Sequence, residues 1–379
     1  MPHAPTDTLS RRLHAIRDAL ALAKVDALVV TSLPNVLYLT NFGGSSAIVV
    51  LTADRLIFIT DSRYVSTISD MRGTAHECPQ LELVTVGGAY DATLAQILAA
   101  LPSARVGFEA AHLSVSRHAW LLKATGDSAT SPQLVATEGL IERARARKDA
   151  YEVAVMREAA ARLSAVASRV FTEIRRGRSE REIAAAIDLC IRHGGFERTA
   201  FETIVASGPN GALPHARPGE RRLTEGDVVV LDFGGVYDSY CVDLTRTVSV
   251  GSASARSRAV HAAVLEAHDR AIATVAPGQS RFAVDAAARA ALAEANMAEA
   301  FGHGTGHGLG IEVHEDPRIV QKRPDVDSRD EAIEAGMIFT IEPGAYFPGW
   351  GGVRIEDDVL VTEGGVELLT QVTTELLAR

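Results

Sequence analysis

Two stretches decide how this chain folds: LTEGDVVVLDFGGVY at 223–237 and IEAGMIFTIEPGAY at 333–346. Each has an apolar residue, a turn ending in glycine, and a hydrophobic strand reaching a carboxylate six residues after that glycine. The pairs are Gly226/Asp232 and Gly336/Glu342. Each unit then turns back toward a second acid in a following strand, Asp243 in CVDLTRT and Glu356 in VRIEDD. Two copies of strand, carboxylate, turn, strand, carboxylate predict hairpins that face each other across a pseudo-twofold axis.

The acids have a chemical consequence. A carboxylate closing an apolar strand is costly, because an isolated buried anion must find a cation or take up a proton. Arg246 and Arg354 are the only basic residues within these strands. Four acids outnumber them, so a divalent metal, or a pair, is the more economical compensation. The segment FGHGTGHGLGIEVHEDP at 301–317 adds His303, His307 and His314 among five glycines, whose backbone freedom permits close approach to a ligand or strand. A structural zinc site favours cysteine and a closed cage. An oxygen-rich set with imidazole instead suits manganese, cobalt or zinc in a two-metal hydrolytic centre.

Around this centre, helical periodicity is expected at 149–175, 179–193, 256–275 and 281–297. Strands are expected at 201–207, 227–233, 241–250, 337–343 and 354–362. Helices beside antiparallel hairpins predict an α+β layer for residues 151–379. Residues 139–150, rich in Arg and Lys, read as a solvated connector. Residues 1–138 alternate helix and strand signals. Leu9, Leu13, Ile16, Leu20 and Ala23 mark one helix face, 27–31 a buried strand, and 47–51 with 56–60 a hairpin. Helices at 91–100 and 112–124 flank a strand at 105–108. This is a smaller mixed α/β domain.

The 379 residues carry 38 basic and 48 acidic side chains, a net −10, with 47% hydrophobic and 23% charged residues. That composition excludes a disordered or fibrous chain and gives no reason to expect nucleic acid or an anionic membrane as partner. Cys78, Cys190 and Cys241 are scattered and read as reduced, buried thiols. The first 26 residues lack the apolar core of a signal peptide, and no run reaches the ~20 apolar residues of a membrane span. A cytoplasmic protein is the expectation.

The motifs LDFGG (231–235), VDLTRT (242–247), GHGTGHGLG (302–310), VHEDP (313–317), IEPGAY (341–346) and VRIEDD (353–358) together resemble one family. They are similar to the M24-type metallopeptidases, which comprise methionine aminopeptidase, aminopeptidase P and prolidase and share the pita-bread α+β fold. LPNVLYLTNF (33–42) and TDSRY (60–64) resemble the creatinase-like N-terminal domain of the proline-specific members, so the resemblance spans nearly the whole chain. One departure is Asn41, where relatives commonly carry glycine.

The resemblance implies Asp232, Asp243, His307, Glu342 and Glu356 as metal ligands, with Asp243 and Glu356 bridging two ions, manganese before cobalt or zinc. It implies catalytic roles for three residues. His215 approaches the substrate, His314 stabilises the oxyanion, and Glu342 shuttles a proton toward the leaving proline nitrogen. His303 would line the proline pocket, and Tyr346 with Arg354 would orient the ligands and the substrate end. The expected activity is hydrolysis of the Xaa-Pro bond at the N-terminus of short proline-containing peptides by a homodimer. The wording of the motifs leans to an aminopeptidase P-like enzyme, with an Xaa-Pro dipeptidase (prolidase) as the alternative. A metal-free creatinase-like hydrolase or a non-catalytic peptide-binding relative fits less well, because all five ligand positions are filled.

Overall fold

The helix face expected near the N-terminus is α1 (Thr6–Ala23), where Leu9, Leu13, Ile16 and Leu20 are buried and Ala23 lies at the exposed end. In a computed structural model, described at residues 3–101, 104–126, 131–323 and 332–379, α1 belongs to the first of two units, Met1–Arg145 and Ala146–Arg379. The first unit continues with β1 (Ala27–Val30), α2 (Leu33–Thr40), β2 (Ile48–Thr52), β3 (Leu56–Thr60) and α3 (Val65–Met71). Next come β4 (Leu81–Thr85), α4 (Tyr90–Ala99), β5 (Arg105–Glu109), α5 (Val115–Thr125) and β6 (Gln133–Thr137). Its mixed sheet has the order β4-β3-β2-β1-β5-β6, with the expected β2–β3 hairpin antiparallel and β1–β5 parallel. Asn41 caps α2 at φ 63°, a left-handed conformation that asparagine tolerates better than most residues. Its side chain also bonds Ala4 and His76, which a glycine would forgo.

A short helix, α6 (Glu142–Ala146), leads to α7 (Ala150–Val170), whose start is fixed by a reciprocal capping box between Asp149 and Glu152. α8 (Glu180–His193) starts the same way at Ser179 and Glu182. After the short strands β7 (Arg198–Thr199) and β8 (Ile204–Ser207) comes the first hairpin, β9 (Val228–Tyr237) and β10 (Tyr240–Ser249), paired without interruption over ten residues. The two turn residues, Asp238 and Ser239, have φ of 48° and 70°, the primed geometry that matches strand twist. α7 and α8 bury Leu163, Val170, Ile183 and Ile187 with Leu231, Phe233 and Leu244 of this hairpin.

The second half repeats the plan with α9 (Ala255–Thr274) and α10 (Arg281–Glu294). Val264, Ala271, Val284 and Ala288 of these helices pack with Phe339, Ile341 and Val359. Its strands are β11 (Gly306–Gly308), β12 (Glu315–Ile319), β13 (Ile338–Ile341), β14 (Gly344–Phe347), β15 (Gly351–Arg354), β16 (Asp357–Thr362) and β17 (Gly365–Leu368). The expected continuous strand at 354–362 is in fact two. β13 and β16 join a five-stranded sheet, β12-β11-β13-β16-β17, while β14 and β15 pair only with each other. Pro343 has no N–H for the ladder, and Glu356 N–H turns instead to Thr245 O at 3.1 Å. No described helix is long and apolar enough to cross a membrane.

Candidate metal centre

The two hairpins converge on a buried group of acids. Asp232 and Asp243 come from mid-strand in β9 and β10, and Glu342 and Glu356 from the two breaks in the second hairpin. His307 enters from the middle of β11. One ligand atom each of Asp243, His307 and Glu356 lie within 4.8 Å of one another. His307 Nε2 is 3.8 Å from Glu342 Oε1. The halves are stitched beside these acids: Thr245 Oγ1 donates to Glu356 Oε2 at 2.5 Å, and Asp243 N–H donates to Asp358 Oδ2 at 3.0 Å.

The electrostatics call for a cation. Burial, reinforced by Glu356, Asp232, Asp358 and Glu342, raises the Asp243 carboxyl well above the usual range. Burial and then Glu342 and Asp232 do the same to Glu356. Burial pushes Glu342 to about 7 against the opposing pull of Arg354. Asp232 Oδ1 and Asp243 Oδ1 are buried with no hydrogen-bond partner. Of the two arginines that the sequence supplies to these strands, Arg246 is committed to Asp357 at 2.8 Å and Arg354 to Asp232 Oδ2. That pairing leaves the other Asp232 oxygen without a hydrogen-bond partner and able to hold a cation.

His307 has the tautomer of a residue that could hold a metal. Its Nδ1 faces Gly308 O at 3.1 Å. A carbonyl can only accept, so Nδ1 carries the proton and the Nε2 lone pair points away. Burial, helped by His314, drops its pKa to about 3, which keeps the ring neutral. The acids, their orphaned oxygens and this imidazole fit a divalent cation that takes mixed oxygen and nitrogen donors.

The other residues singled out in the sequence fall around the same cavity of about 520 Å³. His215, His303, His314, Glu342 and Arg354 line it together with Asp232, Asp243, His307 and Glu356. Tyr346 is not part of the lining. It sits behind, accepting from Arg354 Nη1 at 3.0 Å and lying 2.8 Å from His303 Nε2. His303 Nδ1 donates to Gly304 O at 2.8 Å, so Tyr346 Oη is the donor to Nε2. Burial and the Arg354 charge hold His303 down near 4, consistent with this neutral form. Arg354 keeps its proton despite burial because Tyr346, Asp232, Glu342 and Glu356 surround it. The His314 ring stands edge-on to His307, 4.4 Å between centroids.

Two contributors were not singled out in the sequence. Thr245 lies two residues after Asp243 on the same strand face, a relation visible in the period of a strand. Arg318 lines the cavity and lies four residues after His314, along the exposed face of β12 that also carries Asp316. Its neighbour in sequence His314 is a ligand type, whereas an arginine beyond a proline carries no such signal.

Comparison with known proteins gives this geometry its context. Residues 154–363 match the model of metallopeptidase family M24, and residues 12–147 match the creatinase/prolidase N-terminal domain. An uncharacterized peptidase of Bacillus subtilis, YqhT, is 34% identical over 368 residues, 97% of this chain and 99% of its own length. Among solved structures, an Xaa-Pro dipeptidase from Bacillus anthracis superposes with a TM-score of 0.90 at 34% identity, covering 98% of this chain and 100% of its own. An X-Pro aminopeptidase from Thermotoga maritima gives 0.84 at 32% identity, covering 96% and 100%.

Proposed function

The chain belongs to metallopeptidase family M24, a metal-dependent hydrolase of the Xaa-Pro peptidase group, and from that premise we propose that it cleaves Xaa-Pro dipeptides using two divalent metals, manganese first. The observation that carries the dipeptide reading is Arg318. Its guanidinium lines the cavity and makes no hydrogen bond or ion pair with any described residue. A dipeptide presents its free carboxylate one residue past the scissile bond, and an unspent guanidinium beside the cleavage site is the group to receive it. The sequence motifs alone lean toward the aminopeptidase form. Arg318 shifts the balance.

In this reading Asp232, Asp243, His307, Glu342 and Glu356 hold the metals, which when bound supply Lewis-acid charge and an activated water. Glu342, on the cavity wall beside His307, is the carboxyl that passes a proton toward the proline nitrogen. His314 and His215 donate toward the carbonyl oxygen as negative charge grows on it. His303, fixed by Tyr346, walls the proline ring. Family membership supports a homodimer as the working form, which sedimentation tests.

Cleavage beyond dipeptides is the second reading, because Arg318 is exposed and leaves a peptide room to continue past proline. Rates on Xaa-Pro, its amide and Xaa-Pro-Yaa, after loading with manganese, cobalt or zinc, separate the two. Arg318→Ala is expected to lower kcat/KM for the dipeptide about 10- to 100-fold, the worth of a hydrogen bond to a charged group, with little change for the amide. Equal losses on both substrates remove Arg318 from carboxylate recognition. No cleavage of any Xaa-Pro peptide by the metal-loaded protein removes the proposed function.

A further inference from the structure

His215 is exposed in the cavity, and its imidazole makes no hydrogen bond or ion pair with a described residue. Its position is therefore set by the backbone that carries it. That backbone is the excursion from Ser207, at the end of β8, to Gly219, which also places Pro214, Ala216 and Arg217 on the cavity wall. The two ends of this excursion meet at one side chain.

Glu180 is the first residue of α8 and is fully buried. Its Oε1 accepts from Ser207 N at 2.8 Å, Ser207 Oγ at 2.6 Å and Asn210 Nδ2 at 3.0 Å. Its Oε2 accepts from Asn210 Nδ2 at 3.1 Å and Gly219 N at 3.1 Å. The backbone closes the same gate, Glu180 N–H donating to Arg221 O and Arg181 N–H to Gly219 O, each at 3.0 Å. Every partner of the carboxylate is a donor, so both oxygens must accept, a task for an ionised acid and not for an amide. The positive end of α8 also favours a negative charge there. Arg221 ties the arrangement to the sheet, bonding Ser207 Oγ at 2.6 Å and Asp227 at 2.7 and 2.8 Å. At the far side of the excursion, Pro214 O accepts from Arg354 Nη1 at 3.1 Å.

We propose that Glu180 is a positioning residue: by tying Ser207, Asn210 and Gly219 together it sets where His215 stands in the cavity. The proposal rests on the peptidase reading for its catalytic consequence, but not for its structural one. Glu180→Gln turns an amide N–H₂ toward a backbone N–H, of Gly219 or Ser207, that can only donate. It is expected to lower kcat about tenfold, the equivalent of one net charged hydrogen bond, with KM and the metal dissociation constant nearly unchanged.

The decisive measurement is a double-mutant cycle with His215→Ala. If Glu180 acts through His215, Glu180→Gln costs less than about twofold in the His215→Ala background. A full tenfold loss in both backgrounds overturns the proposal. Should Glu180→Gln fail to fold, Asn210→Ala removes two of the five side-chain contacts from the loop's side. It is expected to cost about threefold with the same loss of effect in the cycle, and full additivity again overturns the idea. Hydrogen exchange provides a readout free of activity: faster exchange over 208–219 in either variant, with β9 and β10 unchanged, supports the tie, and unchanged exchange there refutes it. If the wild-type protein cleaves no Xaa-Pro peptide, the function fails while the exchange result still decides the role of Glu180.

Discussion

The two hairpins of the second unit carry equivalent acids by different means. In the first, ten residue pairs run unbroken, and Asp232 and Asp243 are staggered: Asp232 lies across from Thr245, and Asp243 across from Gly234. In the second, the β14–β15 register, Gly344↔Arg354, would bring Glu342 directly opposite Glu356 if it ran two residues further. Two carboxylates directly opposed in a ladder destabilise it. The second hairpin is broken at those positions, and its acids reach the centre on the longer glutamate side chain. The unbroken ladder carries its short aspartates within regular strand pairing, while the broken one carries longer glutamates outside it, Glu342 beside Pro343 and Glu356 tied to Thr245 through both backbone and side chain.

The largest test removes one acid from each half. Asp243→Asn is expected to abolish metal binding by calorimetric titration and to reduce turnover more than about a thousandfold. Glu342→Gln should reduce turnover about 10²- to 10⁴-fold, the range for a lost general acid–base group, yet keep part of its metal affinity through Asp243, His307 and Glu356. Equal loss of metal in both variants would erase the distinction between the unbroken and the broken hairpin.

Much of this centre is legible in the sequence because it is made of local patterns. The acids announce themselves by ending hydrophobic runs, and the histidines by their glycine-rich setting. The break between β15 and β16 is not legible, because VRIEDDVLV reads as one uninterrupted strand. What divides it is Glu356 pairing with Thr245, more than a hundred residues away. Arg318 is illegible for a related reason: an arginine after a proline has no meaning until the cavity shows what it faces. The tie at Glu180 hides as an ordinary acidic residue in the first turn of a helix, where its charge is expected on local grounds alone.

A medium effect comes from metal removal. With folded-state values of Asp243, Glu356 and Glu342 raised, the metal-free folded state holds more protons than the unfolded chain above the ordinary carboxylate range. These three carboxyls therefore contribute stability to the metal-free protein that is lost as pH rises through about 5 to 7, by up to about 3 kcal/mol for Glu342 alone, while the lowered values of His303 and His307 add stability as pH rises toward the ordinary histidine range. Comparison with Glu342→Gln isolates the carboxyl: in urea unfolding with chelator the wild type should lose stability relative to the variant across this range, and restoring manganese should remove the difference. Parallel profiles would mean that the broken hairpin relaxes enough to separate its glutamates from the aspartates, which sharpens the difference between the halves. A wild type that gains stability relative to the variant as pH rises contradicts the repulsion itself.

The smallest effect concerns the break. Ile355 N–H already reaches Pro343 O at 3.4 Å, and the reciprocal bond is impossible because proline lacks an N–H. Pro343→Ala supplies that donor. The hydrogen bond gained is worth about 0.5–1.5 kcal/mol, and the chain entropy released by losing proline costs about 0.4–1 kcal/mol, so net stability should change by less than about 1 kcal/mol. The consequence lies at the centre: one more rung draws Glu342 and Glu356 toward direct opposition, and metal affinity should weaken about threefold, by the same fraction of a hydrogen bond. Slower exchange at residue 355 with weaker metal binding would show that the interruption serves the acids. Slower exchange with unchanged affinity would show that proline only ends the strand, and that Glu356 is placed by its bond to Thr245.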